Sequence, residues 1–125
     1  MNRTKEDNVS TDVLIRNIVE GIQEKKGHCI KVLDLRDVNP HPAPFFVIAE
    51  GTSNTQVCAI ADEVEDYVRK NTKEKPVRVF GLDNAEWVAM DYSDVLVHIF
   101  QRSAREFYDI ESLWADGKIT DIPEI

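Results

Sequence analysis

The stretch WVAMDYSDVLVHIF, residues 87–100, contains two apolar segments on either side of Tyr92-Ser93. A connection this short predicts an antiparallel hairpin, in which residues paired across the two strands lie on the same side of the sheet. With a two-residue turn, one side of the hairpin is wholly apolar and is expected to face the helices of the core. That side carries Val88, Met90, Val95, Val97 and Ile99.

The other side of the predicted hairpin combines aromatic residues with carboxylates. It carries Trp87, Leu96, His98 and Phe100, with Asp91 and Asp94 at its edge. The predicted register pairs Trp87 with His98. It also pairs Asp91 with Asp94 at the turn. An aromatic cluster with acidic neighbours on an open sheet is typical of a protein-binding surface. The alternative is that a second layer of helix covers this side.

Patterns on either side of the hairpin predict a mixed α/β domain. Apolar residues at helical spacing in 14–22 and 55–71 indicate two amphipathic helices. Apolar and β-branched runs predict strands at 30–35, 45–49 and 77–80. The predicted fold is therefore α/β, with a mixed sheet of about five strands and helices mainly on one face.

Two local signals extend this order of elements. The strand at 45–49, the helix that follows it and the strand at 77–80 form a βαβ unit, whose crossover is expected to be right-handed. After the hairpin, Ser103 and Glu106 have the spacing of a capping box, which predicts a helix that starts there. This helix is expected to break near Asp109 and then to resume.

The length of the chain, 125 residues, is that of one domain. We expect a flexible N-terminus at 1–9, a single domain at 10–116 and a loose C-terminal tail at 117–125. The sequence has no run of about 20 apolar residues, the length that a membrane span requires. The N-terminus also lacks the apolar stretch of a secretory signal, so a cytoplasmic protein is expected.

Acidic residues are concentrated in the last third of the chain. The whole chain has 15 basic and 23 acidic residues, whereas residues 83–125 have three basic and ten acidic ones. A surface built from this segment would repel phosphates, so little or no direct nucleic-acid binding is expected. It would suit a basic protein partner. The alternative is that the acidic residues only keep a small protein soluble.

The cysteines and histidines do not have the spacing of a metal site. Cys29 and Cys58 are the only cysteines and are expected to be buried free thiols. The histidines, at positions 28, 41 and 98, are scattered along the chain. No metal or cofactor is therefore predicted.

The turn Gly51-Thr52-Ser53 lies between a predicted strand and a predicted helix, where backbone N–H groups can bind an anion. A nucleotidyltransferase would have Gly-Ser here and Asp-x-Asp on the next strand to hold magnesium ions. That strand reads Val77-Arg78-Val79-Phe80 and has no carboxylate. No enzyme activity is expected, and a small nucleotide-binding or nucleotidyltransferase-like enzyme is the alternative function.

Four blocks of sequence carry a resemblance to a known family. They are FVIAEGTSN (46–54), AIADEV (59–64), WVAMDYSDVLVHIF (87–100) and REFYDIESLW (105–114). In this order and spacing they resemble the ribosomal silencing factors, the Iojap family. The chain departs from the family pattern at Pro44, Phe45, Glu50 and Phe80. These departures weaken inferences about the Gly51-Thr52-Ser53 turn and leave the hairpin blocks intact.

The resemblance implies a non-catalytic protein with a nucleotidyltransferase-like fold that lacks catalytic carboxylates and is often a homodimer when free. It implies binding to ribosomal protein uL-fourteen on the large ribosomal subunit. There the protein would sterically block association with the small subunit and so repress translation. Organellar relatives act in large-subunit assembly. A dimeric adaptor with no ribosomal role is a further hypothesis.

The resemblance also implies which residues bind the partner. In the hairpin they are Trp87, Asp91, Tyr92, Asp94, His98 and Phe100, and behind it Arg105, Tyr108, Glu111 and Trp114. For the second group the alternative is internal packing. Phe107, Tyr108, Leu113 and Trp114 recur at helical spacing, and would then pack their helix against its own domain.

Overall fold

The structure is a computed structural model and describes residues 10–124. The N-terminus predicted as flexible, 1–9, lies outside the described residues. The described elements, in chain order, are α1 (Thr11–Glu24), β1 (His28–Asp34), β2 (Phe45–Gly51), α2 (Asn54–Thr72), β3 (Arg78–Phe80), β4 (Trp87–Asp91), β5 (Val95–Gln101), α3 (Arg102–Tyr108), α4 (Ile110–Leu113) and β6 (Lys118–Asp121). None of these helices is long and apolar enough to cross a membrane.

Serine caps explain where the two long helices begin. Ser10 Oγ accepts a hydrogen bond from the Val13 N–H at 3.3 Å and caps α1. Ser53 Oγ accepts one from the Gln56 N–H at 3.1 Å and caps α2. α2 ends at Thr72, because the next residue, Lys73, has a left-handed φ of 66°. Both helices bury the predicted apolar stripe.

The six strands of the described residues form one sheet in the order β3-β4-β5-β2-β1-β6. β2 and β5 are parallel, and every other neighbouring pair is antiparallel. β2 and β3, predicted as the strands of a βαβ unit, both belong to this sheet, but β5 and β4 lie between them. The mixed α/β fold is confirmed, with one strand more than predicted.

The additional strand, β6, lies in the segment that was predicted to be a loose tail. Lys118–Asp121 pairs antiparallel with β1, so this prediction is wrong. All four β6 residues are exposed. Their backbone hydrogen bonds cover the edge of β1, which would otherwise be unpaired. A strand without a buried face leaves no apolar pattern in the sequence.

β4 and β5 form the predicted hairpin, but their register differs from the prediction by two residues. Trp87 pairs with Phe100, and the turn is Ser93-Asp94 rather than Tyr92-Ser93. The Ser93 N–H donates to Asp91 Oδ1 at 2.8 Å, and Ser93 has a φ of 73°. A shift of two residues keeps each side chain on its predicted face. The apolar side is fully buried at Val88, Met90, Val95, Val97 and Ile99.

Helices cover both faces of the sheet unequally. α1 and α2 pack against one face, and the shorter α3 and α4 pack against the other, together with the proline-rich loop after β1. β2 is buried on both sides. Val47 belongs to the apolar cluster between the sheet and α1 and α2, and Phe46 belongs to the cluster between the sheet and α3 and α4. The prediction of helices mainly on one face is confirmed. We call α3 and α4 the helical cap.

The start of the helical cap differs from the prediction. α3 begins at Arg102 after the N-cap residue Gln101, which makes no side-chain capping hydrogen bond, so the predicted capping box at Ser103 does not form. The predicted break is confirmed at Asp109, which has a left-handed φ of 47° and separates α3 from α4. The two short helices are therefore not one continuous amphipathic helix.

Candidate functional site

Trp87 joins the sheet to the helical cap through ring contacts. Its ring stacks on Phe100 with centroids 5.0 Å apart and contacts Tyr108 at 4.8 Å. Tyr108 packs edge-on against Phe107 at 5.1 Å. Trp87 is half-buried, while Tyr108 is 50% and Phe107 81% exposed. We call Trp87, Phe107 and Tyr108 the aromatic surface.

His98 and Phe100 lie beneath the aromatic surface. Both are buried, and the His98 ring packs against Phe46 with centroids 4.6 Å apart. His98 Nδ1 accepts a hydrogen bond from Trp87 Nε1–H at 3.0 Å. Burial lowers the pKa of His98 to about 4, so the ring is neutral at pH 7 and can accept this bond. The expectation that both residues lie on an open sheet face is wrong, because the helical cap covers them.

The helical cap exposes apolar side chains that were expected to pack inward. Phe107 is 81% and Leu113 74% exposed, whereas Trp114 is half-buried and packs edge-on against Phe46 at 5.9 Å. Internal packing is therefore correct for Trp114 and wrong for Phe107 and Leu113. The left-handed residue Asp109 interrupts the helical phase, so spacing along the sequence does not keep these residues on one face. Sequence reasoning applied one helical spacing across the break that it had itself predicted at Asp109, and so missed both residues as exposed contacts.

The residues at the hairpin turn have structural partners. Asp91 Oδ1 accepts from the Ser93 N–H, and Asp91 Oδ2 lies 3.8 Å from Arg78 Nη2. Asp94 Oδ2 accepts from Thr11 Oγ1 at 3.4 Å. Tyr92 is 2% exposed and belongs to the apolar cluster between the sheet and α1 and α2. Burial raises the pKa of its hydroxyl. The turn and the aromatic surface lie at opposite ends of β4.

The buried residue Arg105 and the half-buried Glu111 form an ion-pair network that ties the helical cap to the sheet. Arg105 Nε donates to Glu111 Oε1 at 2.7 Å, and Arg105 Nη1 donates to Glu50 Oε1 at 3.0 Å. Nη1 also donates to the carbonyl oxygen of Cys29 at 2.8 Å. The Arg105 side chain is 8% exposed, and its hydrogen bond lowers the pKa of Glu111. The structure therefore places Arg105 where it positions the helical cap.

Exposed carboxylates occur in and beside the helical cap. They are Glu86 before β4, Glu106 in α3, Asp109 between the helices and Asp116 after α4. Their charge agrees with the acidic bias of the last third of the chain. The exposed carboxylates of this segment outnumber its one exposed arginine, Arg102, which favours a positively charged partner.

A cleft of about 660 Å³ lies where the parallel strands β2 and β5 end, beside the Gly51-Thr52-Ser53 turn. Gln56 Oε1 accepts from the Thr52 N–H at 2.6 Å, so this turn donor already has a partner. Glu50 in the cleft is paired with Arg102 at 3.1 Å and with Arg105. Among the described residues, no group of three or more His, Cys, Asp or Glu side chains could hold a metal ion.

The two cysteines are less buried than predicted. Cys29 is exposed and Cys58 is half-buried, and both are free thiols. Cys29 has a φ of 52° and lies where the pairing of β1 with β2 is irregular, between His28 and Lys31. This irregularity turns the Cys29 carbonyl toward Arg105 and its side chain toward solvent.

Sequence comparison matches nearly the whole chain to one protein family. The family model "Ribosomal silencing factor during starvation" matches residues 8–125. The ribosomal silencing factor of Bacillus subtilis is 35% identical over 99 residues, 79% of this chain and 82% of that protein. A mouse protein named mitochondrial assembly of ribosomal large subunit protein 1 is 31% identical over 72 residues, 56% of this chain and 32% of that protein.

The fold agrees with this relationship. A crystal structure of a Chromobacterium violaceum protein matches with a TM-score of 0.81 and 28% identity, covering 93% of this chain and 96% of that one. A Bacillus halodurans structure matches with a TM-score of 0.76 and 28% identity, covering 90% of this chain and 100% of that one. With its sequence matched from residue 8 to 125 and its fold shared, this chain belongs to the ribosomal silencing factor family.

Proposed function

We propose that this protein binds the large ribosomal subunit through the aromatic surface, at ribosomal protein uL-fourteen, and sterically prevents the small subunit from joining. The observation that carries the proposal is the exposure of Phe107 and Tyr108 next to the half-buried Trp87. Exposed aromatic clusters of this kind supply most of the energy at protein interfaces. The steric step needs no chemistry, and its outcome is repression of translation in the cytoplasm.

The charge of the helical cap supports a protein contact rather than an RNA contact. Glu106, Asp109 and Asp116 are exposed in and after the helical cap, and such carboxylates would repel phosphates. A basic ribosomal protein would be attracted to the same carboxylates. Direct nucleic-acid binding is therefore a minor part of the proposed complex.

The proposal also includes a homodimer of the free protein and a role in large-subunit biogenesis. In the proposal, a second copy covers the exposed rings when no ribosome is bound, so that the free protein is a homodimer. The mouse relative named for assembly of the mitochondrial large subunit supports the same subunit as the partner. A role in large-subunit biogenesis is therefore part of the proposal.

The structure offers less support for a nucleotide-binding enzyme. The Thr52 N–H is occupied by Gln56, and the Glu50 carboxylate is neutralised by two arginines. A phosphate at the Gly51-Thr52-Ser53 turn would have to displace the first of these contacts. The related bacterial proteins are named as silencing factors, which agrees with a binding role.

Replacement of Phe107 by alanine tests the proposed surface. The side chain is 81% exposed, so its removal should leave the free energy of unfolding within about 0.5 kcal/mol of the wild type. Binding to purified large subunits should weaken about 10-fold, as expected for an interface aromatic residue. The measurement is co-sedimentation with large subunits in a sucrose gradient, followed by addition of small subunits to score assembled ribosomes.

Phe80 provides the matched control for this experiment. It is also an exposed phenylalanine, at 52%, but lies in the edge strand β3. Phe80→Ala should bind subunits as the wild type does. If the wild type neither sediments with large subunits nor lowers the yield of assembled ribosomes, the proposed function is wrong, and the adaptor hypothesis gains support.

Trp87→Ala should reduce both subunit binding and stability. The ring is half-buried, stacks on Phe100 and donates a hydrogen bond to His98, so its loss should lower the free energy of unfolding by about 2 kcal/mol. Subunit affinity should fall about 30-fold. Urea unfolding measured beside a subunit titration separates the two effects. Lower stability with unchanged affinity would show that Trp87 only supports the cap.

A further inference from the structure

We propose that a pocket between the start of β4 and α3 receives a lysine or arginine side chain of the docked partner, with Glu86 as its counter-ion. The inference rests on the proposed function and adds a site of specificity to it. The pocket measures about 380 Å³. It is lined by Glu86, Gln101, Ser103, Ala104, Phe107 and Tyr108.

The pocket is continuous with the aromatic surface. Phe107 and Tyr108 belong to both, and Tyr108 contacts Trp87 at 4.8 Å. A partner that covers the exposed rings would therefore also cover the mouth of the pocket. Residues 103, 104, 107 and 108 lie on one face of α3, so a single helix face forms one wall.

The chemistry of the walls selects a cation. Phe107 and Tyr108 provide aromatic rings, a kind of group that attracts ammonium and guanidinium ions. Glu86 provides the one charged group in the lining, and it is a carboxylate. Within residues 10–124 this carboxylate has no ion-pair partner. Gln101 and Ser103 are neutral and bring no charge that would repel a cation.

The backbone holds Glu86 in place at this pocket. The Gln101 N–H donates to the Glu86 carbonyl oxygen at 2.9 Å, and Gln101 Nε2 donates to the Ala85 carbonyl oxygen at 3.3 Å. These bonds extend the pairing of β4 with β5 beyond Trp87. The Glu86 carboxylate is therefore attached to a fixed segment of backbone at the edge of the pocket.

Charge removal at Glu86 tests the inference. Glu86→Gln keeps the shape of the side chain and should weaken binding to large subunits about 10-fold, since one charge-assisted contact is lost. The matched control is Asp83→Asn, which removes the same charge from an exposed loop residue outside the pocket and should bind as the wild type does. Equal affinities of Glu86→Gln and wild type would overturn the inference.

A second measurement separates this inference from the proposed function. Arginine amide is titrated into the free wild-type protein, and the ring resonances of Phe107 and Tyr108 are followed by NMR. We expect the resonances of the wild type to shift and to saturate as arginine amide is added. The shifts should be smaller in Glu86→Gln and equal to those of the wild type in Asp83→Asn. If the wild type binds no subunits, the proposed function fails, and this titration alone shows whether the pocket binds a basic group. Absence of shifts in that case would overturn it.

Discussion

Arg105→Ala is expected to lower the free energy of unfolding by about 3–5 kcal/mol, the range measured when one partner of a buried ion pair is removed. The loss is large because the groups that Arg105 now contacts would stay in place without it. Glu50 and Glu111 would lose a shared, 8% exposed counter-ion, and the Cys29 carbonyl oxygen would lose its donor. Urea unfolding at pH 7 measures the change. A domain with an ordinary free energy of unfolding would lose a large fraction of it.

Arg102→Ala is the matched control for this prediction. Arg102 also pairs with Glu50, at 3.1 Å, but its side chain is 72% exposed. Its removal should cost less than about 1 kcal/mol, as for other surface ion pairs. Equal losses in the two variants would show that burial adds nothing to the Arg105 network.

Arg105→Lys distinguishes geometry from charge. The guanidinium reaches Glu111, Glu50 and the Cys29 carbonyl together, and one ammonium group cannot match that planar arrangement. We therefore expect only partial recovery of stability. Subunit binding should fall with the loss of cap order, although Arg105 itself is buried. Full recovery by lysine would indicate that charge alone holds the cap.

The hairpin shows how far the sequence predicts this fold. Strict alternation assigned Val88 and Met90 to the core and Trp87 to the opposite face, and the structure agrees. The register was wrong by two residues because the Asp91 side chain supports a turn at Ser93-Asp94. A shift of two preserves faces, so the candidate surface could be identified without the correct pairs.

The helical cap shows where sequence reasoning stopped. The helical cap covers His98 and Phe100 because tertiary contacts, including the Arg105 network, hold it against the sheet. No local sequence pattern encodes these contacts. The left-handed Asp109 also breaks the spacing on which exposure was judged. Strand β6 was missed for a related reason, since all its side chains are exposed. Local periodicity predicts buried faces well and polar or edge contacts poorly.

His98 should make the stability of the protein depend on pH between about 6.5 and 4. Burial among aromatic rings lowers the pKa of His98 from 6.5 to about 4 in the folded state. Between these values the unfolded chain binds a proton that the folded protein does not, so stability falls as the pH falls. The pKa difference corresponds to a loss of about 3 kcal/mol by pH 4.

His98→Asn isolates this contribution from the carboxylates that titrate in the same range. Asparagine Oδ1 can accept the hydrogen bond that Trp87 Nε1–H now donates to His98, but the amide does not titrate. The free energy of unfolding is measured by urea titration at several pH values from about 7.5 to about 4.5, a range that includes the unfolded-state pKa of His98 and approaches its folded-state pKa. We expect the wild type to lose stability relative to His98→Asn as the pH falls, with no relative change above about pH 7. Parallel pH profiles of the two proteins would show that His98 protonates freely in the folded state, and that the cap does not exclude water from it.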